Sequence, residues 1–235
     1  MRPVRIVPDF VPTAEGSALI EVGSTRVICT ATLDAGVPGF LRGSGKGWVT
    51  GEYGMLPRST QIRTPRESTR GRISGRTHEI QRLIGLSLRA VTDLGSFGER
   101  TVFLDCDTIQ ADGGTRTAAI TGAFVAMALA FHRLVKQGDM KKSPLKDYLA
   151  ATSVDIVDGT VMLDLNYQED SRAQADMNLV LTGGGRFVEL QVAAEHGAFD
   201  DAQLQQMLEL GRRGVASLIE LQKAVAPLWL QAGGL

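Results

Sequence analysis

The chain has 235 residues, enough for one large domain or two small ones, and its 43% hydrophobic and 22% charged residues are the ordinary balance of a soluble globular protein. A formal net charge of −1 excludes a bulk field that draws the protein to nucleic acid, so any basic surface must be local. Its two cysteines, Cys29 and Cys106, lie in apolar strand-like runs, which excludes a disulfide framework and suits a reducing, cytoplasmic compartment.

Met1 to Phe10 is polar with two prolines, so no signal peptide is expected there. Ser17 to Leu33 reads as a hairpin turning at Gly23-Ser24. Asp34 to Pro57 reads as Gly-rich and irregular. Its Gly43-Ser-Gly-Lys-Gly47 resembles a P-loop, but no Gly stands five positions before Gly45, and Gly47 follows the lysine where Ser or Thr is required, which argues against an NTPase. From Arg58 to Arg76 six arginines (58, 63, 66, 70, 72 and 76) stand against one acid, Glu67, a local charge of +5. This segment reads as a long exposed loop, either a solvated arm or the footprint of a polyanion.

Thr77 to Leu94 has helical spacing, with Ile80, Leu83, Ile84, Leu88 and Val91 on one face and Thr77 as its cap. Arg76 precedes that start, a good place for an anion ligand. Thr101 to Ile109 reads as a buried strand and Ala118 to Val135 as a buried Ala-rich helix, ended by Gly138, with a length near the lower limit for a bilayer span. Between them lies Asp112-Gly113-Gly114-Thr115-Arg116-Thr117. Unpaired N–H groups at a helix start carry partial positive charge, glycines let an anion approach, Thr115 or Thr117 can cap, and Arg116 offers a planar fork for phosphate. This stretch reads as a phosphate cradle, or else as a tight turn with Arg116 in solvent.

The second half starts again with strands. Ala150–Val157 and Thr160–Leu165 flank an Asp158-Gly159 turn, Met177–Leu181 and Arg186–Ala193 flank Gly183-Gly184-Gly185, and a helix runs from about Asp201 to Val225. Strands followed by a helix occur twice, which predicts a duplicated α+β architecture: a half over 1–142, a half over 143–226 and an apolar tail over 227–235. Asp164, Glu169, Asp170 and Asp176 form an acidic window of oxygen ligands suited to Mg²⁺ or Mn²⁺, or else acids that cap turns.

Several stretches resemble the bacterial ribonuclease PH (tRNA nucleotidyltransferase) family: Gly45-Lys-Gly-Trp-Val-Thr50, Glu52-Tyr-Gly-Met-Leu-Pro-Arg58, Gly75-Arg76-Thr-His-Glu-Ile-Gln-Arg-Leu-Ile-Gly85, Leu104 to Thr117, and Glu169-Asp-Ser-Arg-Ala-Gln-Ala-Asp176-Met-Asn. The resemblance covers nearly the whole chain. It implies a phosphorolytic 3′→5′ exoribonuclease that trims tRNA precursors, with phosphate held by Arg76, Gly114, Thr115 and Arg116. It further implies that Asp170 and Asp176 bind a divalent metal or act beside it, as catalytic residues together with Arg116, that Arg58, Arg63 and Arg66 guide RNA, and that subunits form a homohexameric ring, a trimer of dimers, with no membrane partner. The alternative is an inactive ring subunit that only binds RNA, which has no need of Arg76, Arg116, Asp170 and Asp176 together. This sequence departs from the pattern in three places. The family's longer N-terminal arm is expected to be shortened, since the chain opens at Arg2-Pro3. Gln191-Val-Ala-Ala-Glu-His196 replaces Gln-Gly-Thr-Ala-Glu, which is expected to affect that strand's packing and not the phosphate site. Arg172 and Gln174 stand where small and acidic residues are more usual.

Overall fold

The computed structural model describes residues 1–228, so residues 229–235 of the expected tail lie outside the described residues. In chain order the elements are β1 (Val4–Pro8), β2 (Gly16–Val22), β3 (Thr25–Ala35), β4 (Trp48–Met55), α1 (Glu67–Arg70), α2 (Gly75–Ala90), β5 (Arg100–Gln110), α3 (Thr115–Gln137), β6 (Leu149–Val157), β7 (Thr160–Leu163), α4 (Tyr167–Asp170), β8 (Ala175–Thr182), β9 (Phe187–Ala194) and α5 (Asp201–Val225). They make an α+β fold with two sheets, ordered β1-β2-β3-β5-β4 and β7-β6-β8-β9. The second sheet is antiparallel throughout, and the first has one parallel pair, β4 with β5.

Helix α3 lies between the sheets, packed on β2, β3 and β5 on one side and on β6 on the other. It is long and apolar enough to cross a membrane, but 78% of its most apolar window is buried inside the protein, as a core helix requires. Its alanines and Gly122 leave room for close approach, and Gly16 on β2 completes that fit. A Cβ at Gly16 would fall on the Ala126 carbonyl oxygen and the Ala130 amide of α3. Gln222, fully buried on α5, donates to the carbonyls of Thr121 (3.1 Å) and Leu149 (2.9 Å), tying α5 to α3 and β6. Cys29 and Cys106 face each other in the β3–β5 register as buried free thiols, in keeping with the expectation of small buried hydrophobes.

The elements differ from expectation at three places. β4 falls inside the stretch read as irregular: its inward positions are Val49, Gly51 and Tyr53, and a glycine in the middle hides the alternation. Gly51 is small because it lies under Ile84 of α2. The segment after Gly43-Ser-Gly-Lys-Gly47 is therefore a strand and not the helix that a P-loop needs. Helix α2 starts earlier than expected, capped by Ser74, whose Oγ accepts from the Thr77 amide at 3.1 Å, so Thr77 is not the cap and Arg76 sits inside the first turn. Helix α3 also starts earlier. Gly114 is its N-cap in left-handed backbone with no side-chain cap, so neither Thr115 nor Thr117 caps it.

Gly16→Ala should lower stability by about 2 kcal/mol or more, because a methyl group is forced into backbone that cannot yield. Urea unfolding should show a lower midpoint with an unchanged slope; an unchanged midpoint would mean that the β2–α3 contact is loose.

Candidate active site

The cradle forms where β5 ends. Gly113 (φ 76) and Gly114 (φ 62) both take left-handed backbone, which glycine adopts without steric cost. Gly113 also has no room for a side chain, since a Cβ there would fall on the Leu165 carbonyl oxygen of the second half. Thr25 anchors the turn from below: its Oγ1 donates to the Gly113 carbonyl at 2.6 Å and accepts from the Asp112 amide at 3.0 Å. Thr117 Oγ1 donates to the Gly114 carbonyl at 3.0 Å, and Tyr53 OH donates to Thr115 Oγ1 at 2.9 Å. The two hydroxyls are thus engaged with the protein, and no side chain caps the start of α3 by a hydrogen bond. This leaves an uncapped, positively polarised helix start of the kind that binds anions.

Arg116 leaves the first turn of α3 with its side chain 14% exposed. Its Nη1 donates to Gln191 Oε1 at 2.8 Å and lies 4.0 Å from Glu79 Oε1, and Gln191 Nε2 donates to the same Glu79 oxygen at 3.2 Å. Gln191, the residue that β9 shares with the expected Gln-Gly-Thr-Ala-Glu pattern, thus supplies a partner to this arginine from the second sheet. β9 stays paired with β8 through the altered Val-Ala-Ala run. Gln174, the other departure, accepts from the Gly159 amide at 2.9 Å and so closes the β6–β7 turn. Arg76 is exposed at the start of α2, one turn before Glu79.

The acidic window separates into two pairs. Asp164 is buried and bonded to Arg2 through both the Arg2 amide (2.9 Å) and Nη2 (2.7 Å). Glu169 closes a capping box with Asn166 at the start of α4. These two acids hold structure, as the turn-capping alternative predicts. Asp170 and Asp176 remain half-buried. Burial, then the Asp176 charge, pushes the Asp170 carboxyl up, while Arg76 pulls it back. The cationic and acidic groups therefore share one field.

A third acid, Asp155, joins them. It faces Asp176 in the β6–β8 register, is 1% exposed, and neither of its carboxyl oxygens has a hydrogen-bond partner. Burial, with Asp176 and then Asp170 close by, pushes its carboxyl up to about 9. A single charged residue inside the otherwise uncharged, fully buried run Leu149–Val157 is the signal that marks it in the sequence.

Among the described residues no three His, Cys, Asp or Glu side chains form a complete metal cage. Asp170 and Asp176 still fit a hard divalent ion, since oxygen donors with crowded negative charge are what Mg²⁺ or Mn²⁺ takes, and Mg²⁺ keeps several of its waters.

Arg58, Arg63 and Arg66 all lie exposed on the segment before α2, broken only by the single turn of α1. Arg58 donates to the Gln61 carbonyl at 2.6 Å. Among the described residues none of the three forms an ion pair or hydrogen-bonds to the cradle, and neither does Arg76, whose charge nevertheless reaches Asp170.

Comparison with known proteins places two family models on the chain: the 3′ exoribonuclease family domain 1 over residues 1–131 and domain 2 over residues 147–214. A protein named ribonuclease PH from Solibacter usitatus is 63% identical over 96% of this chain and 94% of its own length. Its namesake from Syntrophomonas wolfei is 58% identical over 96% and 94%. Among solved structures, rice (Oryza sativa) Rrp46 superposes with a TM-score of 0.75 at 18% identity, covering 95% of this chain and 94% of that one. An Archaeoglobus fulgidus exosome with RNA bound to the active site gives 0.77 at 19% identity, over 93% and 87%. The two structures show a shared fold.

Asp155→Asn should change how stability depends on pH. An aspartate titrates near 3.9 when unfolded. A folded carboxyl held neutral up to about 9 stabilises the fold fully below the unfolded value, and that contribution is lost as pH rises toward 9. In metal-free buffer the variant should therefore gain thermal stability over the parent, increasingly from pH 5 to pH 8.5. A difference that does not vary with pH would show that Asp155 is ionised in the folded protein.

Proposed function

The chain belongs to the ribonuclease PH family of 3′ exoribonucleases, phosphate-dependent tRNA nucleotidyltransferases that degrade RNA phosphorolytically from its 3′ end, and on that premise we propose how its residues divide the work. Inorganic phosphate is taken up by the amides of Gly114 and Thr115 and by the guanidinium groups of Arg116 and Arg76. A phosphate oxygen attacks the last internucleotide phosphorus, the bond from that phosphorus to the 3′ oxygen breaks, and a nucleoside diphosphate leaves while the shortened RNA keeps a 3′ hydroxyl. The reverse step is nucleotidyl transfer to an RNA end.

The observation that carries this reading is the seat of Gly113 on the Leu165 backbone, which holds cradle and acidic window side by side. Two anions must meet in the reaction, and their repulsion has to be offset. Arg116 and Arg76 stabilise the charge that builds on the transferred phosphoryl group. Asp170 and Asp176 would hold Mg²⁺ or Mn²⁺, which when bound supplies a further positive charge to phosphate oxygens. The Gln191–Glu79 pair fixes the Arg116 fork in advance of substrate. An RNA-binding subunit without activity has no use for this constellation.

The natural substrates in this reading are tRNA precursors, with Arg58, Arg63 and Arg66 following the RNA backbone beyond the cradle. A homohexameric ring, a trimer of dimers, accords with β9, an edge strand with Phe187 and Leu190 exposed, which invites pairing. Two free buried thiols suit a cytoplasmic location.

With phosphate and Mg²⁺ the protein should shorten a 3′-extended RNA and release nucleoside diphosphates; monophosphates formed without phosphate would mean hydrolysis and overturn the reading. Arg116→Ala should slow turnover about a hundredfold, or about 3 kcal/mol, the worth of a charge placed on transition-state oxygens. Near-normal turnover would remove Arg116 from the site. The triple change of Arg58, Arg63 and Arg66 to Ala should spare short oligonucleotides and impair a structured tRNA precursor. It should also lower the log–log salt slope of RNA binding by up to about 1 per lost phosphate contact. Equal losses on both substrates at an unaltered slope would assign the loop to the fold.

A further inference from the structure

We propose that Arg2 is a positioning residue for phosphorolysis, a single guanidinium that sets the phosphate cradle and the acidic window at a fixed distance and angle. The inference rests on the division of work proposed above. Arg2 lies at the junction of the two loops, with its side chain 15% exposed. On one side Nη1 donates to the Asp112 carbonyl, immediately before Gly113, and stands 3.9 Å from the Asp112 carboxylate. On the other side Nη2 and the Arg2 amide both donate to Asp164, the first residue of the stretch that runs through Asn166 and α4 to Asp170. The same Nη2 comes within 3.3 Å of where a Cβ on Gly114 would be, so the guanidinium lies directly behind the cradle residue.

The acceptors are themselves held. Asp164 is buried and keeps left-handed backbone (φ 58), a conformation that costs energy in a residue other than glycine and persists only where its surroundings enforce it. Asp112 closes the loop from the far side: its Oδ1 accepts from the Tyr167 amide at 3.1 Å, at the first residue of α4. Guanidinium donors form a planar fork of fixed geometry, so anchoring each loop to one nitrogen fixes the angle between them. A lysine in the same place would supply charge without that angle.

This differs from a simple staple of the N-terminal segment, and the structure contains such a staple for comparison. Arg133 donates to the Ala14 carbonyl at 2.6 Å and pairs with Asp9 at 3.2 Å, near the other end of α3. Both arginines tie the first residues of the chain down, but only Arg2 joins the two loops.

The test compares the parent, Arg2→Gln, Arg2→Lys and Arg133→Ala in phosphorolysis of a short RNA, varying phosphate at saturating Mg²⁺, with thermal midpoints measured alongside. Misplacing reacting groups by about an ångström costs up to about a hundredfold in rate. Arg2→Gln and Arg2→Lys should each raise the phosphate KM and lower kcat, together by about tenfold or more in kcat/KM, with the RNA KM within about twofold of the parent. Arg133→Ala should lower the midpoint and leave the phosphate KM alone. If Arg2→Gln does not fold, Asp164→Asn, which keeps the volume and removes the charge that grips the fork, should give the same phosphate-specific loss. A folded Arg2→Gln or Asp164→Asn with parental phosphate kinetics overturns the inference, as does an equal phosphate KM increase in Arg133→Ala, or full activity in Arg2→Lys. A parent that releases no nucleoside diphosphate overturns the underlying reading, and this inference with it.

Discussion

Helix α3 is enclosed between two sheets, and that enclosure constrains the rest of the molecule. Residues from Thr115 to Leu134 are almost all buried, so the helix meets solvent only at its ends. Close packing on both faces demands small residues, which explains the Ala-rich composition and the glycine opposite it on β2. A backbone dipole running through an apolar interior is poorly screened, and its positive end emerges where the two sheets meet. The turn at Gly113-Gly114 leaves that helix start without a side-chain cap.

The electrostatics of the site follow from the same geometry. The first half brings Arg76 on α2 and Arg116 on α3, and the second half brings Asp155 on β6, Asp170 on α4 and Asp176 on β8. Asp155 and Asp176 repel each other across a partly buried sheet face, and burial together with that neighbouring charge pushes the Asp155 carboxyl up. Glu79 and Gln191 hold the Arg116 fork within the same group, so its side chain is ordered by the protein itself. A net charge of −1 accords with this arrangement, because the attraction for a polyanion is concentrated in the arginine segment and the cradle and is balanced elsewhere.

Much was legible in the sequence because its causes are local. Alternation and turn residues marked the Ser17–Leu33 hairpin, the Asp158-Gly159 turn and the last two strands, and periodicity marked α2, α3 and α5. Two glycines at the junction of a strand and a helix marked the left-handed turn there, since a special backbone conformation calls for them. β4 was hidden because Gly51 is dictated by Ile84 of another element, and the cap of α2 was misplaced because Ser74 and Thr77 are chemically equivalent candidates.

By itself the sequence determined most of the elements and the turn that joins β5 to α3, since these depend on residue type and short-range spacing, and its longer motifs carried the family resemblance. Tertiary structure alone decided which acids of the window hold structure and which remain for the site. It withdrew Asp164 to Arg2 and Glu169 to a helix cap, and it brought Asp155 of β6 opposite Asp176. It also brought Gln191 to Arg116 and Arg2 to the back of Gly114, across 75 and more than 100 residues of chain respectively. Such pairings depend on how two sheets close around one helix, a three-dimensional condition that no local pattern encodes.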